Sequence, residues 1–474
     1  MTDVVQKLWG FCNTLKHDGM HYGDYIEQLT YLLFLKLADE KGLAVPKSFS
    51  WATLLERSGT DLTDHYQATL NKLGKEKELL GDIFAGALSK FREPVNLKKL
   101  ILLINETEWA EIDVDLKAEI YEGLLQKYAA EQKGAGQYFT PREAIRSIVR
   151  CVRPDLGVAA DYTIHDPACG TAGFLIASAE WNLKSRSKPL ARDEQRRLKH
   201  GTLSGGELVL ETRRLALMNL YLHGIEGEIH YGDSIAEGAG DHLYDCILTN
   251  PPFGTKGGGE VPNRDDFTVS TSNKQLNFIQ HVLTILKPGG RAAMVLPDNV
   301  LFEDHAGRDV RQLLMTDCRL HTILRLPVGM FTPYSAGVKA NVLFFDKGWK
   351  TDAVWIYDLR TNTEKITKRN GLTEKYFADF EKCYFGARSA DSSTVGGAIG
   401  KRRETERWRR FTREEIAARE DNLDIFWLKD DTLEDPDDLP EPEDLVGEAV
   451  TKLATALDAL NELAVQLSNG NGKE

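Results

Sequence analysis

The chain changes its hydrophobic period once. In DYIEQLTYLLFLKLADEK, apolar side chains fall at Ile26, Leu29, Leu33 and Leu37, near the 3.6-residue repeat of a helix with one buried face. LKKLILLINETEWAEI and LKAEIYEGLLQKYAAEQ continue that pattern, so residues to about Gln132 are predicted helical. Gly134-Ala135-Gly136 then interrupts it. From about Tyr162, short apolar runs alternate with longer periodic ones. YTIHDPAC, GEIHYGDS, YDCILTN, RAAMVLP, LHTILRLP and VKANVLFF predict strands. TAGFLIASAEWNLKS, TRRLALMNLYLHG and KQLNFIQHVLTILKPGG predict helices, the last stopped by Pro-Gly-Gly. Strand–helix alternation implies an α/β fold with a doubly wound, mostly parallel sheet. Ligands of such sheets sit at the carboxyl ends of the strands, where strand order reverses.

Three further stretches follow the last apolar strand. KRRETERWRRFTR, Lys401 to Arg413, is basic, and Asp430 to Asp444 is acidic with prolines, as in an extended linker. Val446, Val450, Leu453, Leu457, Leu460, Ala464 and Leu467 then alternate spacings of four and three, a heptad seam. Such a seam needs a partner helix, either in another chain or in its own domain. The expected organisation is a helical domain over 1–132, a catalytic domain over 133–400, and a C-terminal extension over 401–474 holding the basic segment, the linker and the seam.

Charge and composition narrow the possibilities. No apolar run is long enough to span a bilayer, since the greasiest, Tyr31 to Ala38, has eight residues. No signal peptide is recognisable at the start. Six cysteines stand singly, without a CxxC or a Cys/His cluster, so no metal site is expected and a reducing, cytoplasmic setting is. The formal charge of -13 argues against a stand-alone nucleic-acid binder, because neutralising phosphates takes a basic surface. A nucleic-acid role would need a local basic face or a basic partner.

The candidate chemistry clusters at predicted strand ends. In IHDPACGTAGFLIAS, a strand ends on Asp166, Pro167 fixes the turn, and Gly170 and Gly173 let backbone approach a ligand. The stretch lacks both the dinucleotide fingerprint and the phosphate-binding lysine. It offers a carboxylate where an ammonium or sulfonium would sit; read alone, it is also a tight turn without a ligand. Glu207 ends the next strand, where an acidic residue holds ribose hydroxyls, although a surface glutamate explains it as well in isolation. Asp233, in HYGDSI, could accept an exocyclic amine or simply make a turn.

The fourth stretch, ILTNPPFGT, ends a strand on Asn250, Pro251, Pro252 and Phe253. The amine of adenine delocalises its lone pair into the ring and is a poor nucleophile. Acceptors at the Asn250 side-chain oxygen and the Pro251 carbonyl would favour a tetrahedral nitrogen, as in the transition state for methyl transfer. The prolines stiffen those acceptors, and Phe253 can stack on an extruded base. In a fifth stretch, GAGQYFTPREAI, Thr140 and Pro141 open a helix as N-cap and first residue, and Tyr138 and Phe139 offer cation–π surface.

QYFTPR, DPACGTAGF, Glu207, GDS and NPPF, in that order, resemble the amino-methyltransferases that use S-adenosylmethionine. Among these the chain is most similar to the modification (M) subunits of type I restriction–modification systems, a likeness extending to NLDIFWLKDD, Asn422 to Asp431. The resemblance implies a Rossmann-like methyltransferase fold with an N-terminal helical domain and a C-terminal helical extension. It implies an adenine-specific DNA methyltransferase acting on N6 in double-stranded DNA. A separate specificity (S) subunit would read the sequence, with two M per S, and a restriction (R) subunit would complete the nuclease. Carried onto this chain, Gln137, Tyr138, Phe139, Thr140, Pro141 and Arg142, with Thr171, Ala172 and Gly173, would contact S-adenosylmethionine. Asp166 and Gly170 would line its methionine end, Glu207 would hold its ribose and Asp233 its adenine. Asn250, Pro251, Pro252 and Phe253 would hold the target base. The heptad seam would dock on the S subunit. An RNA or protein-glutamine amine methyltransferase, and a non-catalytic scaffold, are the competing readings. A cytosine C5 enzyme is disfavoured because no Pro-Cys pair occurs.

Overall fold

The computed structural model describes residues 8, 10–12, 15, 19–40, 45–107, 109, 121, 125, 140–186, 188–238, 242–253, 261–331, 338–367, 370–386, 401–429, 446–447, 450–451, 453–455, 457 and 460. They fall into two compact units. The first holds Met1–Ala135, Gly170–Ala172 and Val209–Ile229, and the second holds the rest.

The first unit is helical. Tyr22–Glu40, Gly59–Leu73, Glu78–Phe84 and Pro94–Asn105 are helices, and the apolar stripe at Ile26, Leu29, Leu33 and Leu37 is buried as its period requires. The helix Leu210–Leu222, which follows the second strand, belongs here as well. Its Arg213 pairs with Asp82 at 2.8 Å, its Arg214 bonds Glu27 and the Ala85 carbonyl, and its Tyr221 ring meets Phe34 at 5.1 Å. Arg213 and Arg214 are nearly buried, and their polar partners make that burial tolerable.

The chain forms a nine-stranded sheet, which lies in the second unit except for Glu226–Ile229. The strands are β1 (Ile164–Asp166), β2 (His200–Glu207), β3 (Glu226–Tyr231), β4 (Tyr244–Thr249), β5 (Leu286–Pro297), β6 (Cys318–Arg325), β7 (Ala340–Lys347), β8 (Ala353–Asp358) and β9 (Trp408–Thr412). Their order is β3-β2-β1-β4-β5-β7-β6-β8-β9. β1 runs parallel to β2 and β4, β4 to β5, and β6 to β8, whereas β7 is antiparallel to both neighbours. This is the Rossmann-like α/β arrangement, and its strand order reverses at β1 and β4. The core packs Ile247, Met294, Leu296, Ile323 and Phe345 of the sheet against Leu276, Ile279 and Val282 of the helix Lys274–Ile285.

Three local outcomes differ from the periodicity. The helix after β1 is α-helical over Gly173–Glu180 and then widens into a π turn over Trp181–Ser185. The Pro-Gly-Gly predicted to separate helix from strand lies inside β5, where the β4 pairing skips from Leu286 to Arg291. Gly289, at φ +81°, absorbs that bulge as only glycine readily does. The basic segment supplies β9, an edge strand antiparallel to β8 that buries Trp408 and exposes Arg409 and Arg410. Charged edge residues of this kind discourage strand addition by another chain. Val446, Val450, Leu453, Leu457 and Leu460 of the predicted seam are all exposed; Ala464 and Leu467 lie outside the described residues.

Candidate functional site

The parallel strands bring Asp166, Glu207 and Asn250 to one edge. Asp166 ends β1 opposite Gly205 of β2, and Asn250 follows the last residue of β4. The turn after β1 is tied on two sides. Cys169 donates its N–H to the Gly206 carbonyl at 2.9 Å, and the Ser234 hydroxyl donates to the Pro167 carbonyl at 2.7 Å. Those contacts explain the Gly205-Gly206 pair, which the motif reading passed over. A Cβ on Gly205 would lie 2.9 Å from the Cys169 Cβ, and one on Gly206 would lie 2.5 Å from the Ser234 Oγ. The sequence signal was the doubled glycine directly before Glu207.

Asp166 is 1% exposed and accepts the Ala168 N–H at 3.1 Å. Burial pushes its carboxyl up to about 7, the Thr249 hydroxyl and the Ala168 N–H offset part of the rise, and the nearby Glu207 adds the smallest share to it. Glu207 is also buried, and its carbonyl accepts the Gly232 N–H at 3.2 Å, which holds the Asp233 loop beside it. Asp233 is exposed and accepts the Ile235 N–H at 2.9 Å. Leu208, directly after Glu207, leaves an apolar side chain 57% exposed at this edge. Gly170, at φ +54°, and Ala172, at φ +66°, give the turn its left-handed steps. Thr171 accepts the Asn219 side chain at 2.9 Å through its carbonyl.

Of the segment before β1, Gln137, Tyr138 and Phe139 lie outside the described residues. The helix there is Arg142–Val152, with Pro141 rather than Thr140 at the N-cap. Arg142 pairs with Glu180 at 3.1 Å. Ile145 sits so close to Gly173 that a Cβ there would lie 2.8 Å from its Cδ1. Freed from capping, the Thr140 hydroxyl accepts the Asn250 Nδ2 at 2.8 Å.

Asn250 therefore has its NH2 group engaged, while its Oδ1 is buried without a partner among the described residues. An orphaned buried acceptor costs about 1–3 kcal/mol, so its presence at a strand end points to a donor that arrives with a ligand. Two further residues, absent from the motif reading, brace the stretch. Gln275 Nε2 donates to the Pro252 carbonyl at 3.3 Å, and Phe331 meets the Phe253 ring edge-on at 5.6 Å. Gln275 stands in the first turn of its helix, where Asn273 accepts the N–H groups of Gln275 and Leu276. Further along the chain, the nearly buried Arg264 donates to the carbonyls of Ile235 and Glu237, both at 3.0 Å, and pairs with Asp266. One guanidinium thus joins the segment after Phe253 to the loop after Asp233.

This edge suits a ligand with a cationic end, a ribose and an aromatic amine. Asp166 and Glu207 are carboxylates, Leu208 offers an apolar shoulder, and no lysine of a phosphate-binding loop is present in the turn.

The family model described as N-6 DNA Methylase matches residues 112–431, more than half of the sequence, and the chain belongs to that family. A second model, the HsdM N-terminal domain, matches residues 4–43. Within the N-6 methylases the chain belongs with the methylase subunits of type I restriction enzymes. It is 41% identical over 516 positions to the StySJI methylase subunit of Salmonella typhimurium, covering 99% of this chain and 96% of that one. To the EcoKI methylase subunit of Escherichia coli K12 it is 40% identical over 512 positions, covering 98% and 95%. A chain from a solved type I R-M assembly superposes with a TM-score of 0.74 at 25% identity, covering 98% of each.

Proposed function

We propose that the protein transfers a methyl group from S-adenosylmethionine to N6 of an adenine swung out of double-stranded DNA. In this reading it is the site-specific, adenine-specific methyltransferase of a type I system, protecting host DNA. Sequence recognition comes from a separate S subunit, with two copies of this chain per S, and an R subunit completes the nuclease. The observation that carries the chemistry is the buried, unpartnered Oδ1 of Asn250 beside the switch point of the sheet.

S-adenosylmethionine would supply an electrophilic methyl on its sulfonium. Asp166 would face its cationic end, Glu207 would accept its ribose hydroxyls, and Asp233 would accept its adenine amine while Leu208 covers the ring. Asn250 Oδ1 and the Pro251 carbonyl would accept the two N6 hydrogens, drawing the nitrogen towards a tetrahedral shape. The lone pair, withdrawn from the ring, forms the new N–C bond as the S–C bond breaks, and the nitrogen then sheds a proton to solvent. Phe253, braced by Phe331, would stack on the extruded base.

The test is incorporation of labelled methyl into unmethylated DNA by the chain co-purified with its S subunit. Asn250→Ala should lower transfer by at least about a hundredfold, as removing one transition-state hydrogen-bonding group does in other enzymes, with cofactor Kd unchanged. Native transfer by that variant would overturn the proposal.

A further inference from the structure

We propose that Thr140 is a positioning residue for Asn250, anchoring its amide nitrogen so that the amide oxygen is held towards the amine. The inference rests on the base-holding reading above and deepens it. A side-chain amide has two ends of similar size and opposite hydrogen-bonding sense, and the torsion that exchanges them is soft. The difference is decisive here. The N6 amine presents hydrogens, so the oxygen end can accept them, whereas the nitrogen end would set donors against donors.

In the productive arrangement the nitrogen needs an acceptor behind it. The Thr140 Oγ1, 2.8 Å from Asn250 Nδ2, is that acceptor. The opposite end, Oδ1, is buried and has no partner among the described residues. Turning the amide over would put two N–H donors where one oxygen now waits. The cost of burying the empty oxygen is carried by the free protein and recovered when the amine arrives, which is how a preorganised site favours the reacting state.

The helix that follows Thr140 is held from two sides. The residue after Pro141, Arg142, is paired with Glu180, and Ile145 one turn on abuts Gly173 at the start of the helix that follows the Asp166 turn. The side chain of Thr140 makes no helix cap, which leaves its hydroxyl for Asn250. A threonine in a stretch expected to touch the cofactor thus acts through the target-base amide.

The experiment compares Thr140→Val, which keeps the shape and removes the hydroxyl, with Thr140→Ser, which keeps the hydroxyl. Both are assayed with the S subunit on unmethylated target DNA, beside Asn250→Ala. Cofactor Kd and DNA Kd, unchanged within about twofold, confirm that each variant is folded. Single-turnover methyl transfer should fall on the order of tenfold in Thr140→Val, the worth of one uncharged hydrogen bond, and Thr140→Ser should restore it. Native transfer by Thr140→Val, a loss matched by weaker cofactor binding, or failure of serine to rescue would overturn the proposal. If Asn250→Ala is inactive while Thr140→Val is native, this inference alone fails. If Asn250→Ala is fully active, the base-holding reading fails first.

Discussion

Cofactor binding should depend on pH through Asp166. Its carboxyl is buried at the end of β1 and pushed up to about 7, first by burial and then by the charge of Glu207. In the free protein the ionised fraction is then about one tenth at pH 6 and about nine tenths at pH 8. A cationic ligand end favours the carboxylate, so binding at pH 6 must release a proton, and binding at pH 8 need not. The sign follows: affinity rises with pH, by about tenfold from pH 6 to pH 8, and flattens above. The same raised value means that Asp166 costs stability as pH rises from its ordinary range through 7. Asp166→Asn, with no proton to lose, should bind the cofactor with no such slope and melt higher than the native protein at pH 8. Calorimetric titration with S-adenosylmethionine and with S-adenosylhomocysteine, in buffers of different ionisation heat, measures both Kd and the released proton. The second ligand keeps the ammonium and lacks the sulfonium charge, so the pair identifies which cation Asp166 faces. A Kd constant from pH 6 to 8 in the native protein, or an equal slope in Asp166→Asn, refutes the reasoning.

Gly206→Ala forces a Cβ to 2.5 Å from the Ser234 Oγ and 3.1 Å from the Pro167 carbonyl oxygen. It should cost about 1–3 kcal/mol by overpacking and weaken cofactor binding, and adding Ser234→Ala should recover part of the Tm; no recovery would place the strain elsewhere. Arg264→Met removes the donor to the carbonyls of Ile235 and Glu237 and leaves Asp266 unpaired. A loss of about 1–3 kcal/mol in denaturant melts is expected for carbonyls left without their donor, and an unchanged midpoint would refute it. Deleting 446–474 removes the exposed Val446, Val450, Leu453, Leu457 and Leu460. Co-purification with the S subunit should fall while cofactor Kd holds, and undiminished co-purification would count against the seam as a docking element.

Periodicity alone was enough for the helices between Tyr22 and Asn105, the α/β alternation and the strand ends carrying Asp166, Glu207 and Asn250, because each is a local property: a repeat near 3.6, a repeat of 2, or a breaker after an apolar run; LKAEIYEGLLQKYAAEQ lies almost wholly outside the described residues. The order of the short motifs also carried the family, since each residue type is demanded by one piece of the chemistry. Contacts between distant segments were not legible in this way. Nothing near Thr140 announces that its hydroxyl leaves the helix cap for Asn250, 110 positions away. Gln275 behind Pro252, Phe331 behind Phe253, and Arg264 beneath the Asp233 loop are likewise pairings across the sheet edge. Nothing local in the basic segment announces that Trp408 is buried in β9. Which residues carry the chemistry is written in the local pattern. Which way the Asn250 amide points depends on the fold, because a side chain's orientation is set by whatever neighbours the folded chain brings against it.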